Sequence, residues 1–244
     1  MPVPCRNCPL RRCDIFAPVT EQELAFLQRF KSGELKVAPG MQLLMEGSNS
    51  PQLYTVLAGQ GLRYKTFASG RRQVLNFVFP GDFLGLQAGM MGEMHHSVEA
   101  TTEMVLCVFD RKEFFNIFRH HPERAYDITW LAATEEHFLG ETLATVGQLP
   151  AVARMAWALM RLFNRAEALG MTTGDSFPMP YRQQDLADAL GLSLVHTNKT
   201  LARLRDHQIA SWHDGHIKIH SHAGLAESAG EEAGESAWMT RPLI

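Results

Sequence analysis

The stretch Tyr181–Arg205, YRQQDLADALGLSLVHTNKTLARLR, constrains the fold more than any other part of the chain. It reads as two short helices joined by a tight turn. In the first, Leu186, Ala187 and Leu190 fall on one face at helical spacing. Gly191 is placed to stop that helix and Leu192 to plug the corner. Ser193 is a good N-cap for a second helix from Leu194 to about Asp206. There Leu194, Leu201 and Leu204 are expected to point inward, which leaves His196, Thr197, Asn198, Lys199 and Arg203 on the other side. Beyond it, IASWHDGHIKIH gives a short apolar strand, a turn at Asp214–Gly215 and a second strand, Ile217–Ile219. Asp-Gly between strands is a strong hairpin signal. A helix-turn-helix followed by a β-hairpin is a winged helix, and a bland helical hairpin with a solvated polar face does not account for the wing. Lys and Arg neutralise phosphates, while Asn, His and Thr hydrogen-bond base edges, so the second helix suits a DNA major groove.

The net charge of −3 is unusual for a DNA binder until it is divided. Residues 223–244 hold Glu227, Glu231, Glu232 and Glu235 against Arg241, a net of −3, so the remaining 222 residues sum to zero. Tyr181–His222 carries five Lys/Arg against four Asp, with six of the eleven histidines. So slight an excess predicts modest affinity per half-site, and therefore a dimer that doubles the contacts. The start, MPVPCRNCPLRRC, has charge but no apolar core of a secretory leader, and no apolar run approaches a membrane span, so a cytoplasmic protein with no membrane partner is expected.

Three of the four cysteines, Cys5, Cys8 and Cys13, form a C-x2-C-x4-C cluster, and Cys107 lies in an apolar strand pattern, MVLCVFD. In a reducing compartment such a cluster suggests metal or redox chemistry rather than a disulfide scaffold. Arg6, Arg11 and Arg12 are expected to favour the thiolate form. Three clustered thiols plus a remote one suit an iron–sulfur cluster or zinc. Idle or redox-sensing thiols, with Cys107 a small buried hydrophobe, fit the same spacing.

Between Glu34 and Asp110 the pattern is of short strands broken by glycines: Glu34–Val37, Gln42–Met45, Gln52–Leu57, Leu62–Thr66, Arg72–Phe79, Ser97–Ala100 and Met104–Asp110. That pattern indicates an antiparallel sandwich or barrel able to hold a small ligand. Phe114–Arg119 reads as a short helix, and Pro122 suits the start of a long one to about Leu149. Its stripe, Ile128, Leu131, Ala132, Leu139, Leu143 and Val146, can pack on the barrel or on the same helix of a second subunit. The second is preferred, because a helix-turn-helix usually works on paired half-sites. Gln148-Leu149-Pro150 acts as a hinge, Ala151–Ala168 is an amphipathic helix with Met155, Ala158, Leu159 and Leu162 inward, and Gly170–Pro180 is a loop. The fold class is thus α+β. Residues 1–20 form a cysteine-bearing arm, 21–120 a β-roll, 121–149 a dimerisation helix, 150–222 the winged helix and 223–244 a mobile acidic tail.

From about Cys5 to Ile219 this order resembles the CRP/FNR family of bacterial transcription regulators. The stretches LYTVLAGQGLRYK, FPGDFLGL, EATTEMVLCVF and the helix-turn-helix carry the resemblance. It implies a cyclic-nucleotide-binding-like β-roll that senses a signal, and a homodimer formed along the long helix through Ile128, Leu131, Leu139, Leu143 and Val146. It also implies a regulator, an activator or a repressor, that reads a near-palindromic duplex and contacts RNA polymerase. The cAMP-binding members carry a Glu after the GDF-like turn and an Arg-Ser pair further on; here those positions read Leu86 and His96-Ser97, so cAMP is not expected. The FNR branch binds a [4Fe–4S] cluster through three N-terminal cysteines and one in the β-roll, and Cys5, Cys8, Cys13 and Cys107 are similar in placement. The spacing departs, with four residues rather than five between the second and third. The recognition helix departs too. Where the family commonly has Glu and Arg this chain has Val195 and Lys199, with Asn198 in place of Ser. The usual FNR half-site is therefore not expected. His196, Asn198 and Lys199 are assigned to base readout, Arg182, Gln183, Ser193 and Arg203 to phosphates, and Thr197 is counted among the DNA-binding residues as able to bond a base edge.

An enzyme is not expected. Glu93, His95 and His96 are the strongest candidates, and adjacent histidines on a strand point to opposite sides. The same residues are also compatible with a regulator responding to a small ligand or to thiol oxidation, with one holding a structural zinc knuckle at Cys5–Cys13, and with a cyclic-nucleotide module that does not bind DNA.

Overall fold

The glycine-broken strands between Lys31 and Asp110 fold into two antiparallel sheets. In chain order the elements are α1 (Glu21–Phe30), β1 (Lys31–Val37), β2 (Gln42–Leu44), β3 (Gln52–Ala58), β4 (Gly61–Thr66), β5 (Arg72–Val78), β6 (Phe83–Leu84), α2 (Leu86–Met91), β7 (Ser97–Ala100) and β8 (Met104–Asp110). One sheet runs β1-β8-β3-β6 and the other β2-β7-β4-β5. There follow α3 (Arg111–His120), α4 (Pro122–Gln148), α5 (Ala151–Ala168), β9 (Ser176–Pro178), α6 (Gln183–Leu190), α7 (Leu194–Asp206), β10 (Ala210–His213), β11 (His216–Ile219) and α8 (His222–Ala229). This is a computed structural model, and it describes residues 2–230 and 240–244. The chain divides into two units, Met1–His137 with Thr240–Ile244, and Phe138–Met239.

In the first unit the inner faces of the two sheets meet over Val56, Leu84, Val98, Met104 and Leu106. A second apolar cluster lies outside the roll, where Phe26, Leu27 and Phe30 of α1 and Phe114 and Ile117 of α3 pack with Leu53 and Phe109. A capping box starts α1: the Thr20 hydroxyl accepts from the Glu23 N–H at 3.3 Å, and the Glu23 carboxylate accepts from the Thr20 N–H at 2.7 Å. Ile128 and Leu131 of α4 are buried in this same cluster. They serve the core of their own unit. Of the other assigned residues, Leu139 and Leu143 are 41% and 75% exposed and Val146 is half-buried. The apolar stripe of α4 therefore packs in the core of the first unit at its start, and Leu139 and Leu143 are exposed further along.

Residues 2–20 are not a loose arm. Leu10, Ile15 and Phe16 are buried, and the Phe16 ring lies where a side chain on Gly81 would stand. Gly81 has φ +85°, a conformation that disfavours side chains, so glycine is required there twice over.

In the second unit Met155, Ala158, Leu159 and Leu162 of α5 are buried as expected. β9, within the stretch expected to be a loop, completes a three-stranded sheet in the order β10-β11-β9, and Phe163 meets Phe177 edge-on at 5.8 Å. The mobile tail expected from 223 onward is also corrected. The Ser221 hydroxyl caps α8 by accepting from the Gly224 N–H at 3.0 Å, and Leu225, Ala226 and Ala229 are buried. Pro242, Leu243 and Ile244 are buried in the first unit. Glu231, Glu232, Glu235 and Trp238 lie outside the described residues.

Candidate DNA interface and cysteine cleft

Gly191 adopts φ +65° and ends α6, and the Leu192 N–H donates to the Ala187 carbonyl at 3.0 Å. The Ser193 hydroxyl then caps α7 by accepting from the His196 N–H at 3.2 Å. Leu186, Ala187 and Leu190 are buried as the spacing predicts. On α7 the inward stripe is Thr197, Thr200 and Leu204, at 0%, 3% and 1% exposure, whereas Leu194 is 40% exposed. Leu194 sits at the open first turn, ahead of the side that packs inward, and Leu201 is half-buried. Thr197 is thereby corrected: it cannot reach a base, and its hydroxyl is buried with no hydrogen-bond partner among the described residues. His196, Asn198, Lys199 and Arg203 are exposed, with Val195 between them at 65%.

At the start of α6, Gln183 is exposed and Arg182 sends a bidentate guanidinium to Asp185 at 2.7 and 3.1 Å. The Asp185 carboxylate is buried and also accepts from the Arg182 N–H at 2.9 Å. Arg182 is thus held in place at the surface with part of its charge neutralised. In the wing, Asp214 (φ +49°) and Gly215 (φ +71°) make the tight turn expected of Asp-Gly. Ile217 and Ile219 of β11 are buried, and His216, Lys218 and His220 point outward. That outward row was not assigned from the sequence, although the alternation HIKIH is its signal.

The first unit holds a second feature. Cys5, Cys8 and Cys107 line one small, largely apolar cleft with Lys31, Thr55, Leu243 and Ile244. Cys107 on β8 stands opposite Glu34 on β1 and Thr55 on β3. The Lys31 ammonium donates to the Val3 carbonyl at 2.7 Å and to Glu34 at 2.5 Å, which ties the N-terminal segment to β1. Burial works against the Lys31 charge, and the hydrogen bond to Glu34 with the nearby Cys107 overcomes it, so its pKa is raised.

Burial raises the pKa of all four thiols, and Cys107 is pushed up to about 11 despite Lys31. This corrects the expectation that the arginines favour thiolates. Arg11 does lower Cys8, but desolvation outweighs it, and Arg11 donates to the Arg6 carbonyl at 2.9 Å. Cys13 does not line the cleft. Among the described residues no three His, Cys, Asp or Glu side chains stand close enough to hold a metal ion. The donor chemistry suits a [4Fe–4S] cluster, but the arrangement does not: Cys5, Cys8 and Cys107 share a cleft without standing close enough to hold a metal, and Cys13 lies outside its lining.

Two family models match the chain: a cyclic nucleotide-binding domain over residues 34–121 and a Crp-like helix-turn-helix domain over 153–228. The nitrogen fixation regulation protein FixK of Rhizobium meliloti is 30% identical over 178 residues, 72% of this chain and 77% of that protein. The chain belongs to the CRP/FNR family of transcription regulators. The transcriptional activator protein FnrL of Cereibacter sphaeroides is 27% identical over 94% of this chain and 93% of its own. Among solved structures, FixK2 of Bradyrhizobium japonicum shares the fold with a TM-score of 0.74 at 21% identity, covering 82% of this chain and 98% of that one. The relatives are regulators rather than enzymes.

As a CRP/FNR protein the chain has a β-roll of the cyclic-nucleotide-binding type, and His96 and Ser97 stand where the resemblance leads one to expect an Arg-Ser pair. Burial, with Arg63 nearby, lowers the His96 pKa to about 4, so its ring is neutral. The Ser97 hydroxyl accepts from the Glu46 N–H at 3.0 Å. Arg63 is committed to Glu135 at 3.0 Å. Among the described residues no helix is long and apolar enough to cross a membrane.

Proposed function

We propose that this CRP/FNR protein is a cytoplasmic homodimer that activates transcription from a near-palindromic duplex, with its DNA geometry set by the redox state of the cysteine cleft. The observation that carries the DNA reading is the outward face of α7, where His196, Asn198, Lys199 and Arg203 stand together on a capped helix. Lys199 and Arg203 neutralise phosphates or reach guanine, and His196 and Asn198 reach base edges. Arg182, Gln183 and Ser193 hold the backbone at the start of α6 and α7, and Lys218 does so from the wing. Leu139 and Leu143 of α4 supply apolar surface for a second subunit. RNA polymerase is the partner of the bound dimer.

Val195 and Lys199 in place of the family's Glu and Arg argue for an operator other than the usual FNR half-site. Selection from random duplexes tests this, and recovery of the usual half-site overturns it.

The sensor has two readings. The four cysteines suit an oxygen-responsive [4Fe–4S] cluster by type and number. The position of Cys13, off the cleft wall, favours a switch that acts through the three cleft-lining thiols without a cluster. Purification without oxygen, followed by an iron and sulfide count per chain, separates them. Iron and sulfide in amounts that a Cys107→Ser substitution removes support the cluster; a colourless protein without iron supports the thiols alone. A single zinc ion would support a structural knuckle at Cys5–Cys13. A small ligand in the roll is tested by the same preparation, and Leu86 and His96 argue against cAMP.

A further inference from the structure

Leu243 and Ile244 line the cysteine cleft, and the residues just before them are anchored beside it. Arg241 pairs with buried Asp82 at 3.1 Å, and its backbone joins the N-terminal segment: the Arg241 N–H donates to the Ile15 carbonyl and the Ala17 N–H to the Arg241 carbonyl, both at 2.7 Å. Pro242, Leu243 and Ile244 are buried, and Ile244 packs into the same apolar cluster as Phe30, Phe83 and Phe109. The Thr55 hydroxyl donates to the Ile244 carbonyl at 2.6 Å. Thr55 is also the cross-strand partner of Cys107, and Leu243 and Ile244 line the cleft together with Cys5, Cys8 and Cys107. An ion pair, a backbone bridge, a buried hydroxyl contact and two buried aliphatic side chains make this a built seat for the segment.

We propose that Thr240–Ile244 is a built-in ligand of the cysteine cleft. Seated, it screens Cys5, Cys8 and Cys107, and a bulky group attached to those thiols displaces it. The two compete because the tail supplies part of the cleft wall, and because its anchor, Thr55, lies directly across from Cys107. Linkage makes the effect reciprocal: whatever weakens the seat exposes the thiols, and whatever loads the thiols weakens the seat. The seat depends on the cleft alone, whether or not the thiols act as the sensor of a DNA-binding protein.

The test compares alkylation by iodoacetamide, cysteine by cysteine, in the full chain, in a chain ending at Met239, and in Arg241→Ala. In the shortened chain Cys5, Cys8 and Cys107 are expected to react faster on the order of tenfold, a factor equivalent to about 1.4 kcal/mol of seating. Cys13, off the cleft, stays near its original rate, and Arg241→Ala falls between. Equal rates at Cys5, Cys8 and Cys107 in full and shortened chains overturn the proposal. Should the shortened chain unfold, all four thiols speed up alike, and a second measurement decides. Carboxypeptidase release of Ile244 from the full chain is then timed before and after thiol blockade with N-ethylmaleimide. Faster release after blockade supports displacement, and unchanged release overturns it.

Discussion

Thr197 separates what α7 offers to DNA from what it offers to its own core. Its side chain is fully buried and its hydroxyl has no hydrogen-bond partner among the described residues. An unpaired buried hydroxyl costs about 1–3 kcal/mol, because water's hydrogen bonds are lost without replacement. Valine has nearly the same shape and a similar helix propensity, and it carries no polar atom to desolvate. Thr197→Val is therefore expected to stabilise the second unit by about 1 kcal/mol, or roughly 4 °C in Tm for a unit of ~100 residues. Its DNA affinity should stay within about a factor of two, below ~0.4 kcal/mol, because the side chain faces away from the exposed stripe. Thermal unfolding of the full chain and fluorescence anisotropy with a selected duplex read the two quantities. A lowered Tm, or a tenfold loss of affinity, would refute the reasoning and restore Thr197 as a base contact.

His96 sets a pH dependence. Its pKa in the fold is about 4, below the ordinary 6.5, because burial and then Arg63 disfavour the cation. The unfolded chain binds this proton first, so the fold is undiminished above pH 6.5 and loses up to about 3 kcal/mol as pH falls from 6.5 towards 4. His96→Gln should flatten that part of a urea-midpoint profile, and an unchanged slope contradicts the assignment. Gly81→Ala forces a left-handed backbone at a cost of about 1–2 kcal/mol and drives a methyl into the Phe16 ring, for about 3 kcal/mol in total; a wild-type urea midpoint would contradict this. Leu143→Asp should leave the urea midpoint unchanged and shift sedimentation from dimer to monomer, whereas Ile128→Asp should fail to fold. A dimeric Leu143→Asp removes the exposed half of α4 from the interface.

The helix-turn-helix was legible because each local signal agreed with the tertiary answer. Gly191 does stop α6, Ser193 does cap α7, and Asp214–Gly215 does turn the wing. The strands Ser97–Ala100 and Met104–Asp110 match their expected bounds for the same reason, as short apolar runs fenced by turns. Sidedness was less legible. Leu194 and Thr197 exchange their expected places because two threonines, rather than two leucines, fill the inward stripe of α7. Ile128 and Leu131 were assigned to a partner because periodicity shows that a face is apolar, not which surface covers it. The capping box Thr20–Glu23 was a readable start for α1 that the strand pattern overshadowed. The seat of Thr240–Ile244 had no local signal, since it depends on Asp82 and Thr55, well over 150 residues earlier. The thiol pKa values likewise follow from burial, and sequence spacing reports only the neighbouring arginines.

The central claim is that two copies of this chain read DNA through the exposed face of α7. Footprinting the purified protein on a duplex selected from random sequence tests it directly. The predicted result is a two-fold symmetric protected site with half-sites one helical turn apart, about 10–10.5 base pairs, which Lys199→Ala weakens on the order of tenfold. Selection that enriches no duplex, a single unsymmetric half-site, or a footprint of unchanged strength in Lys199→Ala would contradict it.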